Sequence, residues 1–198
     1  MRQWPLAAAL AAVLLSSGCK TALERDQAAR EPSALTADLV DFRNGLAMLR
    51  EGRVDEAIHM LNQARAAYPR NAEVANALGL ALLYKKDYRN STKLFTEAIG
   101  LDPNLIEPLN NRGVAAMEAG NLAEAEADFE AVLARPPSAE HVNARFNLAL
   151  LRGKQLRWAD AERELTTVLA DDPGYAKAVR ERGLARMKLE DFRGALED

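Results

Sequence analysis

The stretch RGVAAMEAGNLAEAEADFEAVLARPP, Arg112–Pro137, decides the fold, because its layout returns elsewhere in the chain. NGLAMLREGRVDEAIHMLNQARAAYP ends at Pro69, LGLALLYKKDYRNSTKLFTEAIGLDP at Pro103 and LALLRGKQLRWADAERELTTVLADDP at Pro173. A further copy, RGLARMKLEDFRGALED, occupies Arg182–Asp198 and repeats only the first part of the layout. In each, two runs of helical periodicity flank a turn such as EGRV, KKDY or AGNL. A proline then stops the second run, since it has no amide hydrogen and clashes with the turn before it. The prolines Pro69, Pro103 and Pro137 are 34 residues apart, and Pro173 follows after 36.

This pattern resembles the tetratricopeptide repeat (TPR), a helix–turn–helix unit of 34 residues. The resemblance implies an all-α superhelical solenoid of four full repeats and a partial fifth, at 38–71, 72–105, 106–141, 142–175 and 176–198. Position 8 of the unit must be small where helix A is crossed by helix B; it is Gly45, Gly79, Gly113, Ala149 and Gly183. Position 20 on helix B is Ala57, Ser91, Ala125, Ala161 and Ala195. Position 24 supplies bulk through Leu61, Phe95, Phe129 and Leu165, and position 27 packs on the next repeat through Ala64, Ala98, Val132 and Val168. Arg112 and Arg182 stand at position 7, where leucine is common in the family; their stems are expected to pack while their charges reach water. The fifth copy stops one turn into its helix B, which leads us to expect a fragment or a cap that continues past Asp198.

The first 18 residues, MRQWPLAAALAAVLLSSG, have one cation, an apolar run and small residues, and read as a secretory signal. They lead into Cys19, the sole cysteine, and LLSSGC resembles a bacterial lipobox with Ser16 where that family expects leucine. The resemblance implies an acylated Cys19 (palmitate among its chains) and anchoring to a membrane through lipid. One acyl chain binds reversibly and two or more hold firmly, at roughly 0.8 kcal/mol per buried methylene. In many Gram-negative lipoproteins an aspartate after the cysteine retains the protein in the inner membrane, so with Lys20 the resemblance implies the periplasmic face of the outer membrane. Residues 19–37, charged and Ala-rich with Pro32 and Ser33, read as a lipidated tether.

Composition excludes several classes. With 6% aromatic and 28% charged residues and a net charge of −3, there is no electrostatic footprint for nucleic acid. A lone cysteine allows no intrachain disulfide and no cysteine-based metal site. The two histidines, His59 and His141, have no companion at metal spacing, and there is no nucleophile elbow or phosphate loop. Acidic runs such as EAEADFE recur with helical period and read as solvated faces. No enzyme, cofactor, metal or small-molecule substrate is expected.

What a TPR array offers is a concave groove lined by its A helices. By family analogy the groove positions are 2, 5, 9, 12 and 13. In repeat one they are Leu39, Phe42, Leu46, Leu49 and Arg50; in repeat two, Glu73, Asn76, Leu80, Leu83 and Tyr84. Repeat three gives Glu107, Asn110, Val114, Met117 and Glu118; repeat four, Asn143, Phe146, Leu150, Gly153 and Lys154. The last copy adds Lys177, Arg180, Leu184, Met187 and Lys188. The set is mostly apolar, which points to a protein partner, although neighbouring A helices also bury such residues among themselves. Phe42 and Leu46 stand where carboxylate-clamping, chaperone-binding TPRs use lysine and asparagine, so that subclass is not expected.

The long spacing lies in PSAEHVNARFNLAL, Pro137–Leu150, where Ser138 is placed to cap a new helix and the insertion to lengthen that helix or its preceding loop. Together with PLNNRGVA, Pro108–Ala115, it is similar to the third repeat of the TPR lipoproteins of type IV pilus biogenesis, the pilotins of the PilF, PilW and Tgl kind. That resemblance implies a partner in a secretin subunit and a role in assembling the pilus pore. The other expectation is a general envelope adaptor, serving cell-wall enzymes or another pilus or secretion system.

Overall fold

The computed structural model describes residues 40–198. The expectations for the signal, Cys19, the tether and Leu39 lie outside the described residues. Among the described residues the chain forms α1 (Val40–Arg50), α2 (Val54–Ala67), α3 (Ala72–Tyr84), α4 (Tyr88–Leu101), α5 (Glu107–Glu118), α6 (Leu122–Leu133), α7 (Glu140–Lys154), α8 (Trp158–Asp171), α9 (Ala176–Lys188) and α10 (Phe192–Glu197), with no strand. Odd-numbered helices are the A helices of successive repeats and even-numbered ones the B helices.

The packing pattern sets the curvature. Each helix packs on its neighbours in the chain, and the backbone of each odd helix also approaches the next odd one, whereas the even helices are farther apart, bridged between α2 and α4 by the long side chains of Arg65 and Glu97 (2.7 Å). The odd row is therefore the inner row of a curved stack, and the even row the outer one.

Sterics at the A–B crossings explain the small residues. A Cβ built on Gly45 would lie 2.7 Å from Leu61 Cγ; on Gly79, 2.7 Å from Phe95 Cε1; on Gly113, 2.6 Å from Phe129 Cε1. Position 8 is thus in direct contact with position 24, and either may be bulky only if the other is small. Where Ala149 replaces glycine, its opposite is Leu165 rather than phenylalanine. Leu61, Phe95, Phe129 and Leu165, with Ala57, Ser91, Ala125, Ala161, Ala64, Ala98, Val132 and Val168, are each at most 2% exposed. These are the residues assigned from repeat phase to positions 20, 24 and 27, except Ala195 of the fifth copy, which is half-buried.

The turns between the paired helices carry one left-handed residue each: Gly52 (φ 75°), Lys86 (63°), Gly120 (88°), Leu156 (62°) and Glu190 (63°). All five stand at position 15 of their repeats. Two are glycines, which meet no Cβ penalty there, and three are not. B helices begin after Asp87 and Asp191, whose carboxylates accept from the amides of Asn90 (3.2 Å) and Gly194 (3.0 Å).

Two local expectations are revised. The position 7 arginines do not end in water. Arg112 donates through Nε and Nη2 to both carboxylate oxygens of Asp128 (2.9 and 2.7 Å) and through Nη1 to Thr96 Oγ1 (3.2 Å). Arg182 Nε donates to Asp198 (2.9 and 3.0 Å), as does Arg186 Nη1 (2.9 Å). Asp128 and Asp198 occupy position 23 of the same repeats, so the stem packs and a carboxylate on helix B meets the charge. At the long junction, Ser138 does not cap α7 through an amide. Its own amide donates to His141 Nδ1 (3.1 Å), its hydroxyl lies 3.2 Å from the same nitrogen, and His141 Nε2 faces the Arg135 carbonyl at 3.1 Å. Arg135 Nη1 in turn donates to the Pro103 carbonyl (2.6 Å). The inserted residues are held by this clasp and also lengthen helix A: α7 has 15 residues, against 11 to 13 in the other A helices.

Candidate functional site

The inner row presents a band of apolar side chains that are only partly covered. Of the groove residues assigned above, Leu49, Asn110, Met117 and Phe146 are buried; Phe42, Leu46, Asn76, Leu80, Leu83, Val114 and Leu150 are half-buried; Tyr84, Arg180 and Leu184 are exposed. Phe42 and Leu46 pack against the cluster of Leu49, Ala57 and Leu61, so they serve the core as well as the surface. Phe146 is covered by the ring of Tyr175, centroid to centroid 5.1 Å. Burial, with the nearby Asp172 and Glu140 carboxylates, raises the Tyr175 phenol above its usual range. The apolar groove residues left most open to a visitor are Tyr84 at 57%, Leu184 at 42% and Met187 at 56% exposure.

Asparagines tie the inner row together. Asn111 Nδ2 donates to Asn76 Oδ1 (3.0 Å), and Asn147 Nδ2 donates to Asn110 Oδ1 (2.9 Å). Each bond joins position 5 of one repeat to position 6 of the next, and so fixes the stagger of successive A helices. The first member of each pair was assigned to the groove; Asn111 and Asn147 were not. Their signal was available in the spacings of 35 and 37 residues, one more than the repeat intervals of 34 and 36.

A hollow of about 370 Å³ opens between α5, α7 and α9, lined by Met117, Glu118, Ala149, Leu150, Gly153, Lys154, Trp158, Ala161, Leu165, Glu181, Leu184 and Ala185. Gly153 stands at position 12, which is Leu49, Leu83, Met117 and Met187 in the other repeats. The missing side chain leaves the Trp158 ring as a floor, 3.2 Å from where a Cβ would stand. Trp158 begins helix B of the fourth repeat and was not singled out from the sequence. The rim charges pair off: Lys154 Nζ lies 3.3 Å from Glu118 and Arg180 Nη2 2.8 Å from Glu181. Behind the rim, Arg152 is only 8% exposed and bridges to Glu126. Partial burial pushes the Glu126 carboxyl up, but hydrogen bonds from Arg152 and Gln155 outweigh this and hold it below its usual 4.5.

Among the described residues no group of three or more His, Cys, Asp or Glu is placed to hold a metal ion, and no helix is long and apolar enough to cross a membrane. The arrangement is suited to holding an apolar chain segment by contact and by a few oriented polar groups.

Comparison with known proteins agrees with this geometry. The tetratricopeptide repeat family matches residues 42–106, 110–152 and 146–198. FlbA of Caulobacter vibrioides is 33% identical over 145 residues, which is 70% of this chain and 24% of FlbA, so the chain spans about a quarter of that relative. Pseudomonas aeruginosa PilF superimposes with a TM-score of 0.72 at 19% identity, over 79% of this chain and 71% of PilF. PilW, described as a widely conserved type IV pilus biogenesis factor, gives 0.72 at 22% identity over the same shares. The second TPR domain of human RPAP3, solved with an HSP70 peptide, gives 0.51 at 29% identity over 57% of this chain and 92% of that one. A family match over most of the residues, on a stack whose inner row is the partly covered apolar face, makes this chain a member of the tetratricopeptide repeat family.

Proposed function

We propose that this protein is a lipid-anchored assembly factor of the outer membrane, and that it holds a segment of a secretin subunit during type IV pilus biogenesis. The observation that carries the reading is the fold shared with PilF and PilW over 79% of the chain, joined to a curved inner row with exposed Tyr84, Leu184 and Met187. The lipobox-like LLSSGC that ends at Cys19 supplies the anchor on the periplasmic face. The work is holding and orienting, without bond chemistry, and needs no cofactor.

A gene deletion tests it. Loss of heat-stable secretin multimers on a gel, restored by the native gene but not by one encoding Cys19→Ser, is the expected result. Normal multimers and normal piliation in the deletion strain would remove the pilus reading. A general envelope adaptor would then stand as the alternative reading.

A further inference from the structure

From its second repeat onward the groove is electrically lopsided, whereas the first repeat places an exposed cation, Arg50, at position 13. The lip positions 2 and 13 carry Glu73, Glu107 and Glu118 in the second and third repeats, and Lys154, Lys177 and Lys188 in the fourth and fifth. Glu118 and Lys154 satisfy one another at 3.3 Å. Glu73, Glu107, Lys177 and Lys188 are exposed and make no ion pair among the described residues. Two unpaired carboxylates therefore stand at one part of the groove and two unpaired ammonium groups at the other. Between them lies the hollow bounded by Met117, Leu150, Gly153, Trp158, Leu165 and Leu184, whose own rim charges are neutralised in pairs.

We propose that the groove takes a charge-asymmetric protein segment in a single orientation: one bulky apolar side chain seated on Trp158, an acidic flank over Lys177 and Lys188, and a basic flank over Glu73 and Glu107. This rests on the groove being the binding face, as proposed above, and adds the partner's chemistry and its direction. The hollow supplies the anchor because only there does the inner row lack a side chain at position 12. A large apolar group entering it displaces water from an apolar-lined site, whereas a charged group finds no uncommitted counter-ion in the rim. The flanking charges act at longer range. They steer the segment and choose its direction, and they weaken as salt screens them beyond roughly 8 Å at physiological ionic strength.

Three synthetic peptides of equal length test this on the full chain in mild detergent. One has lysines, a central phenylalanine and glutamates in that order; the others carry the same phenylalanine flanked by lysines only or by glutamates only. The chain's tryptophans are Trp4 and Trp158, so a Trp4→Phe background makes the emission report on the hollow. The asymmetric peptide is expected to shift Trp158 emission and to bind about fivefold more tightly at low salt than either symmetric one, as a few exposed ion pairs allow. Alanine in place of its phenylalanine should abolish the shift. So should Gly153→Leu, which restores the side chain found at Leu49 and Leu83. Lys177→Glu with Lys188→Glu, both at exposed sites, should turn the preference to the all-lysine peptide. A photo-crosslinker at the glutamate end should label α9. Equal affinity for the three peptides, binding by none, or labelling of α3 or α5 from that end overturns the proposal. The pilus reading fails separately: a groove that discriminates as stated, in cells whose secretin assembles without this protein, refutes that reading alone.

Discussion

Replacing Gly113 by alanine adds one methyl group at the tightest point of the third repeat. That methyl would stand 2.6 Å from Phe129 Cε1, 2.9 Å from Cδ1 and 3.1 Å from Cζ. Ordinary carbon contacts need 3.5 Å or more. Phe129 is fully buried, so its ring must move by most of an ångström into packed neighbours. Overpacking of this kind costs about 1–3 kcal/mol, and the better helix propensity of alanine returns up to about 1 kcal/mol. The net expectation is a loss of about 1–2 kcal/mol, read as a lower urea midpoint by circular dichroism at constant slope. Gly100→Ala is the control. It lies in α4 with nothing within 4 Å of its Cβ, so the same substitution should stabilise by about 0.5–1 kcal/mol. The chain also shows that a leucine can accept a methyl here, since Ala149 faces Leu165, provided its branches turn aside as those of Leu61, 2.7 Å from a Cβ on Gly45, do not. Gly113→Ala combined with Phe129→Leu should therefore cost less than the sum of the single changes by about 1 kcal/mol. Equal and stabilising effects of Gly113→Ala and Gly100→Ala, or full additivity of the pair, would refute the crossing geometry.

Arg112→Ala leaves the Asp128 carboxylate, 11% exposed, without its partner and should cost about 2–3 kcal/mol, well above a surface pair; urea titration checks it. Leu156→Gly relieves a left-handed leucine that is 73% exposed, and a gain of about 0.5–1 kcal/mol in the same assay is expected. Acid sensitivity supplies a signed test. Because Glu126's folded value is depressed below 4.5, its contribution is present above that pH and is lost as pH falls through the lower folded value. Arg152→Met should remove this share, giving a less stable protein at neutral pH whose stability falls less steeply below about pH 4.5. A variant with an unchanged acid slope would show that Arg152 does not set the Glu126 titration.

The repeat register was legible because its determinants are local and steric. A glycine facing a phenylalanine, an alanine at the crossing and a proline at the stop recur at one phase, and twelve of the thirteen assigned residues of positions 20, 24 and 27 lie in the core, Ala195 of the fifth copy being half-buried. Side-chain partners across helices were less legible. Arg112 and Asp128 lie 16 residues apart on different helices, and neither helical nor repeat periodicity places them together. The same holds for the His141 clasp, where the inserted residues bring an imidazole back onto the Arg135 carbonyl. The groove was read as positions, and the structure grades them: Leu49, Met117 and Phe146 face inward enough to be buried by neighbours, while Tyr84 and Leu184 remain open. Gly153 drew attention as a groove position, but its consequence, a half-buried Trp158 flooring the hollow, required knowing what lies beneath.

The most direct measurement is photo-crosslinking in living cells from four exposed sites, Tyr84 and Leu184 on the inner row and Glu130 and Thr166 on outer helices. None of the four is packed in the core, so the substitutions leave the fold intact. Covalent adducts to a protein partner at Tyr84 and Leu184, with none at Glu130 and Thr166, are what a holding groove requires. Adducts confined to the outer pair, or absent from all four, would contradict it.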